Sequence, residues 1–151
     1  MPWSGSSKRL LNKSILMTGK TCLDSSVVIR HFRGESLVTE KIKGLVAPCL
    51  TSFAYGELIY GTRLAREPEE SRRKLDTLVT RCVLIFPDAV TLETYADLKV
   101  QLRAQGTPIP ENDIWIAALC LQHDLELAFR DKHFDFVPGL KKLHWKKVSP
   151  A

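Results

Sequence analysis

Short apolar runs alternate with longer stretches of helical period from residue 20 to the end of the chain, and that alternation limits the fold more than any other feature. "KTCLD" (20–24), "LVAPCL" (45–50), "CVLIFP" (82–87) and "LELAFRD" (125–131) read as strands, with "KKLHWKKV" (141–148) as a fifth at the C-terminal end. Between them lie segments with apolar residues recurring at helical spacing, such as Phe53, Ala54, Leu58, Ile59 and Leu64. Consecutive strands separated by helices pair in parallel, and a parallel sheet is covered on both faces. The expectation is therefore a three-layer α/β/α domain around a central parallel sheet of four to five strands.

Punctuation supports this reading. Pro68 opens a polar helix, "PEESRRKLDTLVTR", with acids in its first turn where the helix dipole favours them. Gly106 stops the long helix "DAVTLETYADLKVQLRAQG", and "TPIPE" forms a rigid loop before the apolar helix "NDIWIAALCLQHD". Pro48 fits a strand edge or end better than its middle. A chain of 151 residues suits a single domain. The first sixteen residues, "MPWSGSSKRLLNKSIL", carry Lys8, Arg9 and Lys13 and no acid. Residues 1–18 are therefore expected to form a tail, disordered or upstream of a natural start at Met17, and 19–151 the domain.

Composition removes several function classes. There is no run of eighteen apolar residues, so no membrane span is expected. Cys22, Cys49, Cys82 and Cys120 show no CxxC spacing; they read as buried hydrophobes in a reducing cytoplasm, not as zinc ligands. A net charge of +5 permits a polyanionic partner without establishing one. Arg63, Arg66, Arg72, Arg73 and Lys74, and Lys141, Lys142, Lys146 and Lys147, form two basic groups suited to phosphate contact or simply to solvation.

The acids carry the chemistry. In an open parallel sheet, ligands bind at the carboxyl ends of the strands. Asp24 ends the first strand and Asp131 the fourth, Asp113 falls in the first turn of a helix starting on that edge, and Glu57 lies a turn and a half into the helix after strand two. Three of them have a plain structural role open to them, Asp24 and Asp131 as helix caps and Asp113 as a first-turn acid. Glu57 is harder to explain so, because Tyr55, Leu58 and Ile59 make its helix read as covered and a buried acid needs a partner. Converging carboxylates raise one another's pKa, and a hard divalent cation such as Mg²⁺ or Mn²⁺ removes that cost. Such a cation activates water for phosphodiester hydrolysis. Of the histidines His31, His123, His133 and His144, only His133 stands near an acid of this set, two residues from Asp131.

At these residues the chain resembles the PIN domain, specifically the VapC-like toxin ribonucleases of toxin–antitoxin pairs. "CLDSSVVIRHFRG", "TSFAYGELIYG", "GTPIPENDIWIAA" and "LELAFRDKHFDFVPGL" follow the family's order and spacing. The resemblance implies a Mg²⁺-dependent endoribonuclease that uses a metal-bound water, with catalytic residues Asp24, Glu57, Asp113 and Asp131. Asp24 and Asp113 would be the direct metal ligands, and Ser26 a supporting residue or a cap. It further implies an RNA substrate, a cognate antitoxin and a homodimer. The chain departs from the family at Phe129, where a Thr or Ser is usual before the last aspartate. Arg130 and a water are the candidates to compensate. The alternative is an RNA-binding or interaction module that keeps the fold without the chemistry.

Overall fold

The structure, a computed structural model, describes residues 21–146. The expected tail over residues 1–18 lies outside the described residues, as does the end of the expected fifth strand. In chain order the elements are β1 (Thr21–Leu23), α1 (Ser25–Phe32), α2 (Ser36–Lys43), β2 (Cys49–Thr51), α3 (Ser52–Leu64) and α4 (Pro68–Val79). There follow β3 (Val83–Ile85), α5 (Ala89–Ala104), α6 (Glu111–Gln122), β4 (Glu126–Phe129), a short 3-10 helix (Lys132–Phe136) and β5 (Lys141–His144). These form a three-layer α/β/α fold with one five-stranded sheet in the order β3-β2-β1-β4-β5, every pairing parallel.

That order places the site. The chain winds outward from β1 through β2 to β3, then returns across the sheet so that β4 lies beside β1. The reversal creates a crevice between the carboxyl ends of β1 and β4, the position where open sheets bind ligands. The β1–β4 pairing continues one residue past the strand, the Asp24 amide donating to the Ala128 carbonyl at 3.0 Å. Asp24 is thereby fixed at the mouth of the crevice.

The central strands are buried on both faces: Cys22, Leu23, Leu50, Leu127 and Ala128 expose essentially nothing. From α6, Ile116, Ala117 and Leu119 pack into the same core. The four cysteines carry free thiols; Cys22, Cys49 and Cys120 are buried as expected while Cys82 is half-buried, and burial raises Cys49 and Cys82 to about 12. Pro48 sits just before β2, where its carbonyl accepts from Val83 N at 2.9 Å and its missing N–H costs nothing to the strand. Trp145, just beyond β5, is buried and donates its amide to the Phe129 carbonyl at 3.2 Å, so it packs in the core. No helix among the described residues is long and apolar enough to cross a membrane.

Candidate active site

Asp24 is the cap of α1 and a corner of the site at once. Its carboxylate accepts from the Ser26 amide at 3.1 Å, and the Ser26 hydroxyl donates to the same oxygen at 2.5 Å. Ser26 does not cap the helix. Its Oγ accepts from the Arg130 amide at 3.0 Å and so braces the end of β1 against the segment leaving β4. Asp24 is 3% exposed. Burial pushes its carboxyl up to about 6, against the pull of the Ser26 bonds, and the charges of Asp113 and Glu57 add to the rise.

Glu57 projects from α3 toward the same crevice. The Ser25 hydroxyl donates to Glu57 Oε2 at 2.8 Å, and Asn112 Nδ2 donates to Oε1 at 2.9 Å. Two neutral donors, one from the first turn of α1 and one from the first turn of α6, thus hold both its oxygens. One residue beyond Asn112, Asp113 lies in the first turn of α6, whose free amides favour a negative charge. Burial raises the Asp113 carboxyl, as do Asp131 and Glu57, while the hydrogen bond from His133 works against the rise.

Asp131 does not end β4 as the strand pattern suggests. The strand stops at Phe129, and Asp131 caps the 3-10 helix by accepting from the His133 amide at 3.2 Å. His133 folds back over both acids, with Nδ1 at 2.9 Å from Asp113 Oδ2 and 3.0 Å from Asp131 Oδ1. All four expected carboxylates therefore meet at one edge. Asp24 senses Asp113 and Glu57, and Asp113 senses Asp131 and Glu57.

The donor set fits a hard divalent cation. It offers carboxylate oxygens from four separate parts of the chain, and Asp24 and Asp113 have their ionised forms disfavoured by burial and by neighbouring carboxylates. A cation restores the ionised forms and takes oxygen donors of this kind. The ligand atoms of Asp113, Asp131 and His133 all lie within 4.8 Å of one another.

Sequence reading missed Ser25, Asn112 and the full role of His133. Ser25 and Asn112 each adjoin a site aspartate, a signal that was present but shared with ordinary helix-start residues. Phe129 fills the place of the family's hydroxyl with a fully buried ring, packed on Phe134 at 5.2 Å between ring centres. The Arg130 side chain does not enter the site. Its Nε donates to the Trp145 carbonyl, and a terminal nitrogen pairs with Glu35; only its amide reaches Ser26.

Comparison with known proteins agrees with this fold. Ribonuclease VapC1 of Haemophilus influenzae strain R2866 is 26% identical over 130 residues, covering 83% of this chain and 97% of the relative. VapBC-1 from nontypeable Haemophilus influenzae matches with a TM-score of 0.75 and 26% identity, over 84% of this chain and 98% of that one. VapBC2 from Rickettsia felis, bound to a DNA fragment from its promoter, shares the fold with a TM-score of 0.78 at 21% identity, over 83% of this chain and 98% of that one. The PIN domain family matches residues 21–140, which include Asp24, Glu57, Asp113 and Asp131, and the chain belongs to that family.

Proposed function

We propose that this protein is a Mg²⁺-dependent endoribonuclease, the toxin of a toxin–antitoxin pair, that hydrolyses RNA phosphodiesters at the Asp24–Glu57–Asp113–Asp131 edge. The observation that carries the reading is the convergence of four carboxylates at the crevice between β1 and β4. The name ribonuclease on a relative matched over nearly its whole length supports it.

Asp24, at the carboxyl end of β1, and Asp113, in the first turn of α6, would hold the cation. When bound, a divalent cation offsets the clustered negative charge, acidifies water and neutralises a phosphodiester oxygen. Glu57 keeps free lone pairs on oxygens already oriented by Ser25 and Asn112, and is placed to hold the attacking water and take its proton. Asp131, with 41% of its side chain exposed, faces the open side from which RNA enters. Hydrolysis of this kind leaves a 5′-phosphate and a 3′-hydroxyl. Of the basic residues, Arg72 and Arg73 are engaged by Asp76 and Glu70 on α4 itself, and Lys141 by Asp124. Those pairs are exposed and weak enough to exchange for phosphates.

The VapBC structures support a cognate antitoxin as partner. The protein is proposed to act as a homodimer, and the helices of residues 36–66 are the proposed antitoxin contacts.

The test is cleavage of total RNA by antitoxin-free protein with Mg²⁺ or Mn²⁺ and with chelator, beside Asp24→Asn and Asp113→Asn. Cleavage that requires metal and disappears in both variants is the expected result. Metal binding without turnover in a folded wild-type protein would favour the non-catalytic module, for which the buried Phe129 in place of a hydroxyl is the specific observation.

A further inference from the structure

We propose that His133 is a nitrogen ligand of the cation held by Asp24 and Asp113, on a face that it shares with Asp113 and Asp131. The proposal rests on the reading that the acidic edge binds a divalent metal, and adds which atoms of this chain do so.

Geometry carries it. Around a first-row dication with bonds of about 2.1 Å, neighbouring ligand atoms sit about 3 Å apart. His133 Nδ1 stands 2.9 Å from Asp113 Oδ2 and 3.0 Å from Asp131 Oδ1. Both separations match the spacing that a shared cation imposes, the ligand atoms of all three residues lie within 4.8 Å of one another, and they come from two elements, the first turn of α6 and the 3-10 helix. The backbone holds the arrangement independently of the ring, because the His133 amide donates to Asp131 Oδ1 at 3.2 Å. Without a cation, Nδ1–H donates to these carboxylates; when a cation takes the place of that proton and the ring keeps its proton on Nε2, the Nδ1 lone pair points where the shared hydrogen stood. The side chain is 43% exposed, so Nε2 has room for the proton and for solvent.

An imidazole donor changes which cations the site prefers. All-oxygen sites suit Mg²⁺, whereas a mixed nitrogen and oxygen set favours Mn²⁺ and the later first-row dications. This protein is therefore expected to bind Mn²⁺ more tightly than Mg²⁺, by a margin that depends on His133.

The experiment uses tag-free full-length protein loaded with Mn²⁺ and reads electron spin-echo modulation from directly bound ¹⁴N. Wild type is expected to show imidazole nitrogen coupling. His133→Ala should lose the coupling and bind Mn²⁺ about tenfold more weakly, with Mg²⁺ affinity changing less than about threefold. His133→Asp, which returns an oxygen donor, should lose the coupling while keeping most of the Mn²⁺ affinity. Mn²⁺ bound to wild type without nitrogen coupling, or coupling that persists in His133→Ala, overturns the assignment and leaves the acidic edge as a metal site. Wild type that binds no Mn²⁺, or binding unaffected by Asp24→Asn and Asp113→Asn together, overturns the underlying metal reading and this assignment with it.

Discussion

As the cap of α1, Asp24 needs only an oxygen facing the Ser26 amide, and asparagine caps a helix as well as aspartate does. As a cation ligand it needs a full charge, in a place where burial and two neighbouring carboxylates make that charge costly. Its carboxyl, ordinarily near 3.8, lies at about 6 in the folded chain, so the folded state holds the proton more tightly than the unfolded one. This group's contribution to stability is then fully present below the unfolded value and is lost as pH rises through the folded one. In chelator, the Asp24 contribution to stability should grow by up to about 3 kcal/mol as pH falls from about 7.5 toward about 4, read as the difference in slope between wild type and Asp24→Asn. The raised Asp113 adds in the same direction. Asp24→Asn removes that part of the slope, and at pH about 7.5 it should stabilise the metal-free protein by ~1–3 kcal/mol while lowering cleavage by about two orders of magnitude. Urea unfolding of both proteins at the two pH values checks this, and a slope that Asp24→Asn leaves unchanged refutes it.

Three elements are tied together where β4 ends, and Arg130 makes the knot. Its guanidinium joins Glu35, at the start of α2, to the backbone beyond β5, while its amide joins Ser26 and through it Asp24. The Arg130–Glu35 pair is largely buried, at 15% and 19% side-chain exposure, so removing Arg130 takes away a poorly solvated ion pair together with the bond to the Trp145 carbonyl. Arg130→Met should cost about 2–4 kcal/mol, yet it keeps the amide-to-Ser26 bond and so should lower kcat less than about tenfold. Ser26→Ala has the opposite signature: a loss of only about 1–2 kcal/mol, but a fall in kcat of about 10–100-fold as Asp24 loses its brace. Thermal melts and kcat measured on both variants separate the two patterns; Ser26→Ala cleaving at the wild-type rate would show that the brace is dispensable. The elements themselves were legible in the chain. Pro68 does open α4, and Gly106 follows α5 with φ +73, a conformation that suits glycine. The strand ends were less legible, because apolar patterning continues past the last ladder bond. "CVLIFP" stays apolar through Phe86 although β3 ends at Ile85, whereas in "LELAFRD" the ladder ends at Phe129 and the chain then turns into the 3-10 helix that Asp131 caps.

At the scale of the whole molecule, strand order decides which acids meet, and no local pattern encodes it. Periodicity placed Asp24, Glu57, Asp113 and Asp131 on one edge, whereas the return of β4 to the side of β1 puts them in one crevice. The contacts that hold them join residues 32, 55 and 20 positions apart, as in Ser25–Glu57, Asn112–Glu57 and His133–Asp113, and such pairings leave no trace in a single sequence. The same concentration of charge makes the fold's stability depend on the cation. A dication that binds only the folded edge stabilises the molecule by RT ln(1 + [L]/Kd), about 2.7 kcal/mol at a hundred times Kd. For a domain of this size that corresponds to a rise in Tm of roughly 5–11 °C. Mn²⁺ should produce the rise, excess chelator should abolish it, and Asp24→Asn combined with Asp113→Asn should melt at one temperature with or without metal. That flat response matters more than the rise, because any carboxylate-rich surface gains a little from a dication. A double variant that still gains as much as wild type would place the cation elsewhere on the surface, and the crevice between β1 and β4 would lose its claim to the chemistry.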